Sequence, residues 1–310
     1  MRQPRADDRG ILDPARLRRE LRFRRHLPAP ALRPWVEHYW LVDWALTAPF
    51  TQQVVPHPAV NVVFRQDAGG PETAEVAGVG RTLFTVTLTG TGTVSGIQFR
   101  PGGFRPFWRR PVAELTDRHV PLGTDPTAAR AADPTTPHTT GPTTPHTTGP
   151  TTPHAAGLTA PPRRRPDRPP RRRPDAASAR CEGTDDERRR ALDAFLLAWA
   201  PQPDPATVEA ITLAETIRTD RSVLRVDDFA RRHGLSVRRL QRLFLDHVGV
   251  GPKWVIRRYR LLEAVEQVVT GLPDWATLAA DLGYSDQAHL SRDFAAVTGR
   301  TPTGYARSLR

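Results

Sequence analysis

The sequence predicts a multidomain α+β protein: an N-terminal antiparallel β sandwich or barrel, a disordered Pro/Thr/His/Arg linker, and a C-terminal all-α domain with two helix-turn-helix units. Three observations predict this. Short β-branched segments separated by glycine, proline and aspartate lie before residue 125, and proline-rich repeats follow them. A pattern of alanine, glycine and a capping serine then occurs twice after residue 228.

The predicted segments follow from where the composition changes. Four β-rich stretches, at 53–56, 60–64, 83–88 and 94–99, predict strands, and a short helix is expected from Phe104 to Trp108. Two further helices are expected from apolar residues at helical spacing, from Asp185 to Trp199 and from Ala206 to Ile217. The expected boundaries are a flexible charged extension at 1–20, a β-rich sensor or dimerisation domain at 21–125, a disordered linker at 126–184, a bridging helix at 185–205 and the double helix-turn-helix domain at 206–310.

The linker is predicted from three proline-rich octapeptides at 134–157 and from two Arg-Arg-Arg-Pro runs at 163–166 and 171–174. His138, His146 and His154 recur every eight residues, which invites a metal-binding interpretation. Three imidazoles in an unstructured tract make a weak site, so neither a metal nor another cofactor is expected. The arginine runs either contact phosphates non-specifically or are simply solvated.

Charge and targeting signals narrow the classes of function. The net charge is +12, and Lys253 is the only lysine among 45 basic residues. An arginine excess favours polyanionic partners, although a GC-rich genome would also produce it. The single cysteine, Cys181, excludes an internal disulfide and is expected to face solvent. A signal-peptide core and a membrane-length apolar run are both absent from the sequence, so a cytoplasmic protein is expected.

The first helix-turn-helix unit is built on Ala230, Gly234 and Ser236. The alanine lets two helices cross closely, the glycine suits a left-handed turn, and the serine can cap the second helix. The first helix is expected to be capped by Asp227 or Asp228. On the second helix the buried face is predicted to be Val237, Leu240, Leu243 and Phe244, which leaves Arg238, Arg239, Gln241 and Arg242 outward. Such a face suits base edges, although an ordinary solvated helix face has the same pattern.

The same pattern recurs forty-nine residues later with Ala279 and Gly283, and Ser285 or Asp286 can cap the following helix. Leu290 and Phe294 are expected to anchor that helix, with Gln287, Ala288, His289, Ser291 and Arg292 in outward or flanking positions. His289 is equally well interpreted as a packed or capping histidine. Between the units, residues 253–270 predict a helical rod of about 27 Å, which approaches the spacing of successive major grooves.

Residues from about 206 to 310 resemble the DNA-binding domain of the AraC/XylS family of bacterial transcription regulators. The most specific match is Leu278-Ala279-Ala280-Asp281-Leu282-Gly283-Tyr284-Ser285-Asp286-Gln287-Ala288-His289-Leu290-Ser291-Arg292-Asp293-Phe294, and Arg260-Leu261-Leu262-Glu263-Ala264 matches the joining helix. The resemblance implies base contacts by Arg238, Gln241, Arg242, Gln287, His289 and Arg292. Candidates for contacts with the DNA backbone are Ser236, Arg239, Ser285 and Ser291. The family's final Pro-Ser-x-Tyr-Arg is Pro302-Thr303-Gly304-Tyr305-Ala306 here, so one charged contact is in doubt.

The front part resembles, more weakly, the small β-rich sensor modules of one group of these regulators. The segments that carry this resemblance are 32–40, 55–64 and 96–104. A sandwich or barrel of this size can enclose a small ligand. Its candidate lining residues are Trp35, Tyr39, Trp40 and Phe99, and the alternative is that these aromatic residues are ordinary core.

The leading hypothesis is a sequence-specific transcription regulator, not an enzyme, that binds double-stranded DNA. RNA polymerase, an unidentified small-molecule effector and a second copy of the chain are further candidate partners, and no membrane partner is expected. One alternative is an enzyme, either a β-barrel metal enzyme or an alkyl-transfer DNA repair protein that would need an activated cysteine. The other is a non-specific nucleic-acid compactor that acts through the arginine-proline runs.

Overall fold

The computed structural model describes residues 10–122, 181, 183–199, 201, 204–270 and 274–309. Its front part is an antiparallel six-stranded sheet in the order β1-β2-β7-β4-β5-β8, and a separate antiparallel pair, β3 and β6, lies beside it. The strands are β1 Arg22–His26, β2 Val36–Ala45, β3 Phe50–Val54, β4 Asn61–Asp67, β5 Thr73–Ala77, β6 Phe84–Leu88, β7 Thr91–Phe99 and β8 His119–Pro121. The predicted N-terminal antiparallel β architecture is therefore confirmed.

Helices make up the rest of the described chain. They are α1 Pro14–Glu20, α2 Arg105–Trp108, α3 Asp185–Ala198, α4 Pro205–Thr219, α5 Val226–Arg232, α6 Val237–His247, α7 Pro252–Thr270, α8 Trp275–Asp281, α9 Gln287–Thr298 and α10 Pro302–Ser308. The C-terminal all-α prediction is confirmed. Within the described ranges, no helix is both long and apolar enough to cross a membrane. The octapeptide histidines and the arginine-proline runs lie outside the described residues.

The two faces of the large sheet pack against different partners. On one face Trp44 and Val94 meet Phe50 and Leu88 of the β3–β6 pair, together with Leu17 of α1. The opposite face is covered by α3, where the ring of Phe195 meets the ring of Phe64 edge-on at 5.1 Å. Because successive side chains of a strand point to opposite faces, β2 contributes to both layers.

The start of the chain differs from the flexible extension predicted for residues 1–20. Residues 14–20 form α1, whose N-terminus is capped by the Asp13 carboxylate, which accepts from the Arg16 backbone amide at 2.9 Å. Pro14 suits the first helical position, and Leu17 is buried. The charged residues around Leu17 masked the apolar contact that fixes this segment.

Cys181 is buried, which contradicts the expected solvent-facing thiol. Its backbone carbonyl accepts a hydrogen bond from Thr93 Oγ1 at 3.3 Å, so the residue lies against β7. Burial raises the pKa of the Cys181 thiol to about 11, which suppresses the reactive thiolate. Its polar sequence neighbours gave no signal of this packing.

Helix α3 is attached to the sheet by polar contacts. Its first turn carries a capping box in which Thr184 and Glu187 bond to each other's backbone amides. Asp193 then accepts from the Tyr39 hydroxyl at 2.8 Å and from the Ala29 amide at 2.8 Å. The helix predicted as a bridge thus packs as a wall of the β domain.

The β domain contacts the helical domain just after α6, on α7 and on α10. Thr116 Oγ1 donates to the Gly249 carbonyl at 2.6 Å, just after α6. The Tyr305 hydroxyl of α10 donates to the Leu12 carbonyl at 2.6 Å. Between these, the buried Arg258 of α7 donates to carbonyls of the β domain. One continuous cluster contains buried apolar residues of both domains, and the layer between the large sheet and the β3–β6 pair forms a second cluster.

Candidate nucleic-acid interface

The two helix-turn-helix units contain the same hydrogen-bonded turn. The Leu235 amide donates to the Ala230 carbonyl at 2.9 Å, and the Tyr284 amide donates to the Ala279 carbonyl at 2.8 Å. Both alanines are buried, and the glycine that precedes each amide donor has a positive φ, 65° in the first unit and 69° in the second. The repeated sequence pattern therefore forms a repeated structure, α5–α6 and α8–α9.

The caps explain the one-residue difference between the units. Ser236 Oγ accepts from the Arg239 amide at 3.2 Å, whereas Asp286 Oδ1 accepts from the His289 amide at 2.6 Å. Consequently α6 begins three residues after its glycine and α9 begins four residues after its own. Aligned on their first residues, the helices pair Val237 with Gln287, Arg238 with Ala288, Arg239 with His289, Gln241 with Ser291 and Arg242 with Arg292.

The prediction that Asp227 or Asp228 caps α5, the first helix of the first unit, is wrong. Arg225 occupies the N-cap position of α5 without a capping side-chain bond. Asp227 and Asp228 lie in the first helical turn, where their charges favour the positive end of the helix dipole. Arg225 also forms ion pairs with both carboxylates.

Helix α6 presents three of the candidate base contacts to solvent. Leu240 and Phe244 are fully buried, and Arg238, Gln241 and Arg242 are exposed on the remaining surface. Leu243 is half-buried. Val237, expected in the core, is 37% exposed and is the first residue of the helix.

The third residue of α6 and the third residue of α9 each contact other residues of this chain. Both terminal oxygens of Glu209 on α4 accept from Arg239 Nη2 at 3.0 Å. At the aligned position His289 is half-buried, with its ring edge-on to Tyr284 at 5.1 Å between centroids. Ser285 Oγ lies 3.2 Å from His289 Nδ1. Arg239 and His289 thus both contact groups of this same chain in the structure.

The remaining candidates lie on or beside α9. Gln287 and Arg292 are exposed and Ser291 is half-buried. Asp286, which is exposed, has a lowered pKa because its carboxylate accepts from the His289 backbone amide and, more weakly, from Ser285. A negative charge therefore stands at the start of α9, where the first unit has the neutral Ser236.

Helix α7 fixes the two units relative to each other. Its nineteen residues span about 29 Å. Arg257 binds both carboxylate oxygens of Asp293 on α9, at 3.2 and 2.5 Å. Arg260 Nη2 donates to the Val223 carbonyl, in the loop before the first unit, at 3.3 Å. One rigid element thus contacts both halves of the helical domain.

The four residues proposed to line a ligand pocket do not all lie together: Trp35, Tyr39 and Phe99 belong to one cluster and Trp40 to another. Tyr39 and Phe99 lie in the core between the sheet and the helices. Trp40 packs on the opposite face of the sheet, above Gly96, and its indole donates to Asn61 Oδ1 at 3.2 Å. Trp35 lies edge-on to Phe107 at 6.0 Å. Tyr39 and Trp40 are neighbours on β2, so their side chains point to different layers. All four residues serve as core.

Two family models match separate parts of the chain. Residues 229–308 match the family model of a helix-turn-helix domain, and residues 24–121 match the model of a domain of unknown function, DUF6597. Residues 229–308 therefore belong to a helix-turn-helix domain family. Helix-turn-helix domains bind DNA, so this match supports a DNA-binding role for that part of the chain. No curated protein gives a significant match to it.

Solved structures similar to this chain include AraT and ToxT. The C-terminal domain of AraT, a response regulator from Geobacillus stearothermophilus, is 20% identical and covers 34% of this chain and 86% of its own, with a TM-score of 0.31. ToxT from Vibrio cholerae is 9% identical and covers 93% of this chain and 98% of its own, with a TM-score of 0.38. A further ToxT structure, with bound unsaturated fatty acid, is 8% identical and covers 86% and 94%, with a TM-score of 0.37.

Proposed function

We propose that this regulator reads a specific DNA site with α6 and α9 in successive major grooves. The observation that carries the proposal is that α7, about 29 Å long, contacts the second unit through Arg257 and Asp293 and the loop before the first unit through Arg260. Recognition helices one DNA turn apart need a separation of roughly 34 Å.

The two units have unequal roles in this proposal. The outward surface of α6 carries Arg238, Gln241 and Arg242, whose side chains match guanine and adenine edges. The aligned positions of α9 carry alanine, serine and one arginine, with the ionised Asp286 at its start. The first unit therefore supplies most base discrimination, and the second mainly positions the protein.

The aligned pair Arg242 and Arg292 tests this asymmetry. Arg242→Ala is expected to cost about 1–3 kcal/mol on the selected site and to relax base preference at one position, because a forked arginine–guanine contact is lost. Arg292→Ala is expected to weaken binding with a smaller change in preference. Arg172→Ala, in the linker, should weaken all sequences alike. The measurement is competition binding at fixed salt, after selection from a random duplex pool.

Two results would contradict the proposal. Equal loss on every sequence for Arg242→Ala and Arg172→Ala would exclude direct readout by α6. Absence of any selected sequence would favour the compactor hypothesis. The alkyl-transfer enzyme hypothesis has no support in the structure, because the buried Cys181 thiol has a raised pKa and lacks an activated thiolate.

Control by an effector is proposed at the junction of the two domains. A cleft of about 300 Å³ opens between the α1–β3 side of the β domain and α10. Asp13, Arg16 and Arg300 are among its lining residues. A small charged molecule bound there would contact both domains at once, and could change how the second unit docks. Contacts with RNA polymerase and self-association remain further proposals for this regulator, which would act in the cytoplasm.

Domain docking is tested at Arg258 and its neighbour. Arg258 is 3% exposed, donates to the Pro56 and Arg81 carbonyls at 3.3 and 2.7 Å, and stacks on Trp254. Burial lowers its pKa to about 10, so it stays charged at neutral pH. Arg258→Ala is expected to reduce the free energy of unfolding by about 2 kcal/mol, through lost charged hydrogen bonds and packing.

The matched control is Arg257→Ala, one residue earlier on the same helix. Arg257 forms an ion pair with Asp293 and is half exposed, so its removal should cost less than about 1 kcal/mol. Urea unfolding of the full chain, followed by tryptophan fluorescence, measures both. Equal effects at the two positions would argue against a specific docking role for Arg258.

A further inference from the structure

The start of α6 exposes an apolar side chain among DNA-facing polar ones. Val237 is 37% exposed and is the first residue of the helix, directly after the Ser236 cap. Gln241 follows it by one turn on the same ridge, about 6 Å along the helix axis. The amide of a proposed base reader thus stands beside an exposed isopropyl group.

The second unit provides an independent observation about the position of Val237. Aligned on first residues, Val237 corresponds to Gln287 of α9, which is exposed at the same place after its own cap. Recognition helices in major grooves present their N-terminal residues to base edges. The first position of each helix therefore lies where a base edge would be read, with an apolar group in one unit and an amide in the other.

The chemistry of valine restricts what it can read. It has no hydrogen-bonding group, and the C5 methyl of thymine is the apolar group that base pairs present in the major groove. We propose that Val237 contacts a thymine methyl next to the base pair read by Gln241, and so determines specificity at that position. This inference rests on the proposed function of α6 as a base-reading helix.

The experiment crosses a protein change with a DNA change. A duplex is first selected from a random pool with the full chain, and each thymine is then replaced in turn by deoxyuridine, which lacks only the C5 methyl. One replacement is expected to weaken wild-type binding about fourfold, the equivalent of one buried methyl-sized group. Val237→Ala should lose about the same factor on the original duplex and be insensitive to deoxyuridine at that one position.

The control variant is Val269→Ala on α7, since Val269 is similarly exposed at 39%. It should keep wild-type affinity and wild-type sensitivity to deoxyuridine at every position. Thermal unfolding of both variants checks that neither change alters folding.

The inference is overturned if Val237→Ala remains as sensitive as wild type at every thymine, or if the selected site contains none. These failures differ from a failure of the proposed function. If the proposed function failed, the wild-type chain would select no sequence. If only this inference failed, Arg242→Ala would still relax base preference, whereas Val237→Ala would not.

Discussion

Arg188→Met is expected to lower the free energy of unfolding by about 3 kcal/mol, the low end of the cost of breaking a buried ion pair. Arg188 lies on α3 and is 2% exposed. Its guanidinium donates to Asp43 Oδ1 at 2.6 Å, to Ser95 Oγ at 3.0 Å and to the Val94 carbonyl at 2.6 Å. Methionine keeps much of the volume but none of these bonds. Asp43 retains its pair with Arg24, which limits the loss.

The control is Arg190→Met, two residues further on the same helix, where the side chain is exposed. Its effect should stay within about 0.5 kcal/mol. Guanidinium unfolding of the full chain measures both variants under the same conditions. If Arg188→Met were as mild as the control, the hydrogen bonds of Arg188 would not contribute to the attachment of α3 to the sheet.

The helix-turn-helix units could be predicted because their determinants are local. A left-handed turn needs glycine at Gly234 and Gly283, a close helix crossing needs Ala230 and Ala279, and these requirements recur at fixed spacing in the sequence. Neighbouring residues are enough to determine such a turn. The prediction therefore did not depend on knowing the rest of the fold.

The elements that escaped prediction depend on distant partners. β1 is an edge strand rich in arginine, and Arg24 within it is stabilised by Asp185, which is 161 residues away in sequence. α1 looks like a charged tail until Leu17 meets the β3–β6 layer. A polar sequence becomes ordered structure here because of contacts that no local pattern contains.

Some features of the candidate site could likewise be predicted from local sequence, and others could not. The exposed positions of Arg238, Gln241 and Arg242 followed from helical periodicity around Leu240 and Phe244. The engagement of Arg239 by Glu209 required knowledge of how α4 crosses α6. The exposure of Val237 required the helix start, which depends on the position of the cap rather than on periodicity.

Gly78→Ala is expected to cost about 3 kcal/mol of unfolding free energy, at the upper end of ordinary overpacking. Gly78 follows β5, and its amide donates to the Arg118 carbonyl at 2.9 Å. A Cβ added there would stand 1.7 Å from the carbonyl oxygen of Leu115. Because that oxygen belongs to the backbone of a tight 3-10 turn, 112–115, it cannot rotate away as a side-chain end could.

Gly80→Ala provides the comparison, since the nearest atoms to its Cβ would be in the Pro56 ring, at 3.3 Å, and it should cost less than about 1 kcal/mol. The consequence of the Gly78 change should extend beyond the β domain. The 112–115 turn packs against α6, and Thr116, which follows it, bonds the Gly249 carbonyl at the end of that helix. Displacing the turn should therefore also weaken sequence-specific DNA binding by the first unit. Unfolding curves and competition binding of the two alanine variants test both effects, and equal stability of the two would refute the close approach at Gly78.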